Sequence, residues 1–242
     1  MTKPRKAYKG LPMEGWVARW YDRNTGRNTR RFQAAADAVA ASVPPGSRLL
    51  ELAPGPGYLS IEMAKRGAYH LTGLDISRSF VRIARENAAR AGVTIDFQHG
   101  DAAHMPFPDG AFEYVVCTAA FKNFSDPLGA LGEIHRILTP AGQASIQDLR
   151  KEASLAEIGE EVRRMHLSPV NAALTRWIFR HTLLRNAYAR AEIERLAAES
   201  PFRSCEIVEQ GIGFELLLTK LGLASFDRRD RHGVNLQPDS AV

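Results

Sequence analysis

Apolar and polar positions follow two periods along this chain. A short apolar run at 48–53 reads as a fully buried strand, and 70–75, 94–98, 112–118 and 143–149 read as further strands. Between them stand helical patterns. One covers 58–66; a second runs from a Ser77 cap through Phe80, Ile83, Ala84 and Ala88 to Gly92. A third has Asp126 as cap, Pro127 at its first position and Leu128, Leu131, Ile134 and Leu138 on one face. Strand and helix in alternation predict an open, doubly wound, mostly parallel sheet. Upstream, 27–41 reads as a helix stopped by Pro44-Pro45-Gly46. Before it, Trp16, Val17, Trp20 and Tyr21 share helical spacing over 13–22, so that segment should dock on the main body. The alternation breaks at about 150–189, where helical patterns carry no strand signal. A helix at 191–199 and two strands at 203–209 and 213–220 close the fold. The organisation expected is a tail and cap helix (1–28), one main domain (29–221) with an insertion at about 150–189, and a C-terminal tail (222–242). Residues 140–142, Pro-Ala-Gly, read as the link between the third helix and the strand at 143.

The first strand runs into Ala53-Pro54-Gly55-Pro56-Gly57 and then a helix. Strand, glycine turn and helix open a nucleotide-binding α/β fold. Glu51 followed by this turn resembles the first motif of class I S-adenosylmethionine-dependent methyltransferases, an acid before Gly-x-Gly-x-Gly. The sequence departs from it once, with Ala53 at the first glycine position. Alanine there is cheap so long as its φ stays negative, though it narrows the approach of a ligand. A dinucleotide site wants three glycines and free amides facing a pyrophosphate. Here Ser60 holds the third glycine position, and Pro54 and Pro56 remove two donors. S-adenosylmethionine has no phosphate and a cationic sulfonium, so it tolerates that loss.

Further motifs extend the resemblance across about residues 15–220. Asp75, some twenty residues past the glycine turn, is placed to accept hydrogen bonds from ribose hydroxyls, with Ile76 beside it. The family resemblance implies an adenine contact at Asp101-Ala102. Residues 104–112, His-Met-Pro-Phe-Pro-Asp-Gly-Ala-Phe, resemble the family's loop before the fourth strand, with His104 a loop residue. Trp20-Tyr21-Asp22 resembles a cap element whose tyrosine reaches the cofactor's methionine end. The cofactor set implied is Tyr21, Glu51, Ala53, Gly55, Gly57, Asp75, Ile76, Asp101, Ala102 and Thr118. The fold implied is a seven-stranded sheet with a final antiparallel strand, a helical N-terminal cap and a helical lid insertion over the acceptor pocket. The end of the fourth strand delivers Phe121, Lys122 and Asn123 to that pocket, and Trp177 joins them from the lid. His166 and His181, both in the lid, are the candidate bases; either also reads as a hydrogen-bonded structural histidine.

Composition narrows the picture modestly. The chain has 242 residues, a net charge of +5 and two cysteines, Cys117 and Cys205. Basic residues at both ends contribute to the charge and read as solvated tails. With no signal peptide or membrane-spanning run, a reducing cytoplasm is expected. After the fourth strand stands 121–127, Phe-Lys-Asn-Phe-Ser-Asp-Pro, not the Asp/Asn-Pro-Pro-aromatic motif of nucleic-acid amino methylases. No cysteine sits in a Pro-Cys or Thr-Cys setting for pyrimidine methylation, and no metal-ligand spacing or RNA-binding module is present. The expectation is metal-independent methyl transfer to a small molecule, with no nucleic-acid partner and no prediction of oligomeric state. The alternatives are an RNA methyltransferase, an NAD(P)-dependent oxidoreductase and a non-catalytic partner protein on the same fold.

Overall fold

The computed structural model describes residues 8–9, 13–26, 30–164, 168–181 and 183–221, without the side chains at 170, 174, 178 and 181. Seven strands form one sheet: β1 (Arg48–Leu52), β2 (His70–Asp75), β3 (Asp96–His99), β4 (Phe112–Thr118), β5 (Leu138–Leu149), β6 (Glu206–Gln210) and β7 (Gly213–Thr219). Their order is β3-β2-β1-β4-β5-β7-β6. Neighbours from β3 to β5 pair in parallel, and β7 runs antiparallel to β5 and β6. The expected sheet with one antiparallel strand is the one observed.

Helices cover both faces, as successive side chains of β1 require. Leu49 packs with Val39 of α2 (Arg30–Ser42) and with Leu59 and Met63 of α3 (Tyr58–Arg66). Leu50 and Leu52 face the other way, into a cluster with Leu131 and Ile134 of α5 (Pro127–Ile137) and Ile193 of α8 (Arg190–Glu199). All three leucines are fully buried, so truncating one to alanine should cost about 2–5 kcal/mol. The sequence caps operate as read. Ser77 Oγ accepts from Phe80 N at the start of α4 (Arg78–Ala91), Gly92 ends it at φ +71°, and Asp126 accepts from Gly129 N.

Several local expectations need correction: β6 starts at 206 rather than 203, and Leu138 opens β5 rather than completing the face of α5. The cap helix α1 (Gly15–Thr25) lies two to three residues later than expected, and β3 starts at 96 rather than 94. Residues 140–142 lie inside β5, which begins at Leu138. Pairing jumps from Phe112↔Leu138 to Tyr114↔Gln143, a register shift that leaves three extra residues on β5, with Ala141 at φ +65°. Ala141 N donates to Lys220 O and Lys220 N to Gly142 O, so the far neighbour stabilises the irregular segment.

The insertion holds α6 (Leu155–Arg164) and α7 (Pro169–His181). Ile158, Val162 and Phe179 are buried against one another, with Leu149 and Ile212 beside them. This cluster consumes much of the apolar content that the sequence assigns to a pocket cover. Residues 1–7 and 222–242 lie outside the described residues.

Candidate functional site

The sheet opens between β1 and β4. Leu52 and Cys117 are the last paired residues of these strands. One residue on, Ala53 N donates to Leu74 O on β2, and after Thr118 the Ala119 N–H goes to Gln147 O on β5. The two chains therefore turn towards opposite neighbours and leave a crevice at the topological switch point, where open α/β sheets bind ligands. Both turns begin with an alanine in the left-handed region, Ala53 at φ +53° and Ala119 at φ +57°. The condition under which alanine is cheap at 53, a negative φ, is not met. An L-residue there costs roughly 1–2 kcal/mol relative to the right-handed form.

On the β1 side, the amides are already committed. Ala53 N bonds to Leu74 O, Gly55 N to Asp75 Oδ2 (3.0 Å) and Gly57 N to Pro54 O (3.0 Å), while Pro54 and Pro56 carry no N–H. From 53 to 57 no backbone donor is left for a phosphate. Gly57 is required twice: its φ is +81°, and a Cβ there would meet Phe97 and Ala84 at 2.9 and 3.0 Å. Gly55 faces open space.

Two carboxylates stand behind the turn. Asp75 is 4 % exposed and accepts from Gly55 N and from Ser77 N (2.8 Å), so it joins the β1 turn to the α4 cap. Burial raises its pKa to about 6 against those hydrogen bonds. Two backbone donors leave its remaining lone pairs for a ligand hydroxyl. Glu51 is buried and accepts from Ser60 Oγ, so the residue that replaces the third glycine serves the acid. Desolvation pushes Glu51 up to about 7, with the Asp75 charge adding to the rise.

The far end of this wall carries Ile76 and Asp101. Ile76 O lies 3.1 Å from His99 Nε2, and Asp101 Oδ1 accepts from Ala103 N at 3.0 Å. Ala102 packs against the main core, while His104 is largely exposed. Tyr21 stacks edge-on to Phe80 at 5.7 Å, which fixes α1 on α4. Its neighbour Asp22 does more than the sequence disclosed. Asp22 Oδ1 accepts from Tyr58 Oη (2.8 Å) and Asn87 Nδ2 (3.0 Å), and Asn87 also donates to Pro56 O. The cap helix is thereby tied to the glycine turn.

The β4 side has different parts. Thr118 Oγ1 is the buried side-chain polar atom without a partner among the described residues, and it stands at the crevice edge. An orphaned buried hydroxyl invites a polar ligand. Phe121 and Lys122 are buried in a 3-10 turn with Asn123. Lys122 Nζ donates to Asp148 Oδ1 (2.7 Å) and Ala119 O (2.8 Å), and Lys122 N donates to Asp148 Oδ2. Lys122 thus locks the turn to β5, and its ammonium is engaged by the protein. Tyr188 stacks on Phe121 at 5.6 Å, its hydroxyl held up near 12 by burial and by the charges of Asp148 and Glu192. At the N-terminus Lys9 N donates to Asn123 O, and its ammonium lies 5.4 Å from the Tyr188 ring centre.

The lid candidates are not brought together. His166 lies outside the described residues, His181 ends α7 without a described side chain, and Trp177 is 58 % exposed. Asn87, Asp148 and Tyr188 escaped the sequence reading. An acid at the C-terminal end of the fifth strand, beside the crevice, was the available signal for Asp148; nothing local marks the other two. Two cavities of about 310 and 290 Å³ lie away from the crevice, beside the start of β4 and between α2 and β7.

Residues 50–146 match a family model described as a methyltransferase domain. A demethylmenaquinone methyltransferase of Deinococcus radiodurans is 35 % identical over 125 residues, 51 % of each chain. The chain spans about half the length of the curated relatives it matches. A protein of Methanococcus maripaludis, put forward as an S-adenosyl-L-methionine-dependent methyltransferase, superposes with TM-score 0.69 at 22 % identity, covering 91 % of this chain and 97 % of its own. The cyclase SpnF superposes with TM-score 0.53 at 22 % identity, covering 78 % and 81 %.

Proposed function

We propose that this chain, which has the class I S-adenosylmethionine-dependent methyltransferase fold and a methyltransferase domain over residues 50–146, transfers a methyl group to a small quinol-type acceptor. The observation that carries the cofactor is the state of the β1 turn. It offers no amide to a phosphate from 53 to 57, yet keeps two buried carboxylates and opens beside an unpartnered hydroxyl. That set fits S-adenosyl-L-methionine, which has hydroxyls and a cationic end but no phosphate, and it does not fit a dinucleotide. Asp75 would take the ribose hydroxyls, Asp101 and Ala102 the adenine, and Glu51 would favour the cationic amino end. Thr118, Gly55 and Tyr21 line the same reading.

When bound, the cofactor supplies an activated methyl group on a sulfonium, so the protein's task is alignment and exclusion of water. The acceptor atom would take the methyl group and give up one proton to water, so the transfer needs no change of oxidation state. Phe124 and Tyr188, partly exposed and packed on the buried ring of Phe121, present aromatic surface suited to a flat ring. The curated relatives named for demethylmenaquinone support a quinol acceptor. A cytoplasmic setting and the absence of a nucleic-acid partner belong to the same proposal. Among the described residues no helix is long and apolar enough to cross a membrane.

The test is methyl transfer from labelled S-adenosyl-L-methionine to a reduced, short-chain demethylated naphthoquinone, with the product weighed by mass spectrometry. The expected gain is one methyl group. The SpnF neighbour makes the assay necessary, because a cyclase shares the fold. Stabilisation by NADH and not by S-adenosylhomocysteine overturns the cofactor reading. Failure of every quinol alongside S-adenosylhomocysteine binding overturns the acceptor.

A further inference from the structure

The outer face of α1 is built unlike a water-facing helix. A helical turn of 3.6 residues places Arg19, Arg23, Trp16, Trp20 and Asn24 within an arc of about 140°. Trp16 is 79 % exposed and Trp20 57 %, and both arginines are exposed as well. The inner face is fully employed. Ala18 is buried, Tyr21 packs on Phe80, and Asp22 is bonded to Tyr58 and Asn87. The indoles are therefore not needed to hold the helix in place.

The charge pattern sharpens the point. Among the described residues 13–26 the acids are Glu14 and Asp22, and both are used elsewhere. Glu14 accepts from Arg78 N and Ser79 N at the start of α4, and Asp22 points to the glycine turn. What remains outward is cationic and aromatic, and exposed Arg30 and Arg31 follow at the start of α2. Paired indoles with interleaved guanidinia suit the headgroup level of a bilayer, where the ring's amphipathic character is satisfied and anionic lipid attracts the cations. A single convex helix offers no groove to receive a protein segment.

We infer that α1 is a membrane-docking helix that lies on an anionic phospholipid surface through Trp16 and Trp20, with Arg19 and Arg23 against the headgroups. The inference rests on the quinol reading in one respect: an acceptor carrying a lipid tail resides in the bilayer. The Asp22–Asn87–Pro56 connection sets the docked helix beside the glycine turn, so docking brings the crevice to the surface that holds such an acceptor.

The full chain is sedimented with phosphatidylcholine vesicles, with and without a third of phosphatidylglycerol. Binding should be about tenfold stronger to the anionic vesicles and weaken as salt rises. Indole emission should shift to the blue and be quenched by brominated acyl chains. Trp16→Ser with Trp20→Ser, exposed positions that leave the fold intact, should lower partitioning by about tenfold or more, and Arg19→Glu with Arg23→Glu should remove the preference for anionic lipid. No partitioning, or partitioning unchanged in the tryptophan variant, overturns the inference. So does self-association or capture of a protein that buries the indoles in the absence of lipid. Turnover of a water-soluble quinol by a chain that ignores vesicles sinks the docking and spares the function. Vesicle binding by a chain that methylates no quinol sinks the acceptor and spares the docking.

Discussion

The two walls of the crevice are held by different means. The β1 wall closes over short stretches of chain: Ser60 serves Glu51, and Asp75 reaches back to Gly55 and forward to Ser77. Its shape is written in main-chain amides and therefore suits one constant ligand. The β4 wall depends on a single ion pair between residues 26 apart, Lys122 and Asp148, and on a tyrosine at the end of the insertion. Its aromatic lining can change without disturbing the first wall. A fold that keeps one ligand and varies the other benefits from that separation.

The sharpest way to break the comparison is to remove one partner of the ion pair. Asp148 is fully buried and Lys122 nearly so, with side-chain exposures of 0 and 7 %. Asp148→Ala leaves a buried ammonium uncompensated and should cost about 3–5 kcal/mol in urea unfolding. Replacing both partners, Lys122→Met with Asp148→Leu, should recover most of the loss. If the single variant unfolds like the parent, the β4 wall is not held this way.

The β1 wall should instead reveal itself through pH. Glu51 titrates near 7 in the folded state, raised chiefly by burial. A raised folded pKa means the native state binds the proton more tightly, so the stabilisation is full below the unfolded value of about 4.5 and is lost as pH rises through 7. Compared with Glu51→Gln, the parent should lose up to about 3 kcal/mol between pH 4.5 and 7.5 and then level off. Asp75, near 6, should show the same sign over a lower window. A difference curve that is flat or rises with pH contradicts this.

Ligand binding separates the walls next. S-adenosylhomocysteine should raise the melting temperature by mass action, and Asp75→Ala should abolish most of that rise. Each lost hydrogen bond to the carboxylate would cost about 1.5–3 kcal/mol. The double variant at Lys122 and Asp148 should keep the rise. Tyr21→Phe preserves the contact with Phe80 and should leave unfolding unchanged, while S-adenosylhomocysteine affinity falls by about 1 kcal/mol through loss of one neutral hydrogen bond. Unchanged affinity takes Tyr21 out of the site.

The same contrast explains what the sequence disclosed. The β1 wall was legible because its period, glycines and acids lie within consecutive residues: 58–66 and 70–75 have the limits expected from the sequence. Lys122 was nominated for the acceptor by topology alone, and no local pattern announces that an acid on the next strand engages it. The irregular segment at 140–142 was unreadable for a similar reason, since Lys220, remote in sequence at the end of the adjacent β7, supports it. In the insertion the period of α6 was readable, but not whether Ile158 and Val162 face a pocket or Phe179. Tertiary partners decide that.

The smallest effect tests whether the walls share any property. Ala53 and Ala119 begin the two turns with φ of +53° and +57°. Glycine at either position removes the left-handed penalty of roughly 1–2 kcal/mol but loosens the unfolded chain by roughly 0.5–1 kcal/mol. Each substitution should therefore stabilise the protein slightly, by about 1.5 kcal/mol at most. The turns differ in what fixes them. Around Ala53 the carboxylate of Asp75 holds Gly55 N, whereas Ala119 is followed by the buried Lys122–Asp148 lock. If strain at both sites is only structural, Ala53→Gly and Ala119→Gly should leave S-adenosylhomocysteine affinity alike. If the left-handed alanine shapes the β1 wall for its ligand, Ala53→Gly alone should alter that affinity, because its added freedom lies in the turn that the carboxylates clamp. We expect the second outcome, with a several-fold change for Ala53→Gly and none for Ala119→Gly, read by calorimetric titration. Equal affinities in both variants would make the two walls alike in this respect.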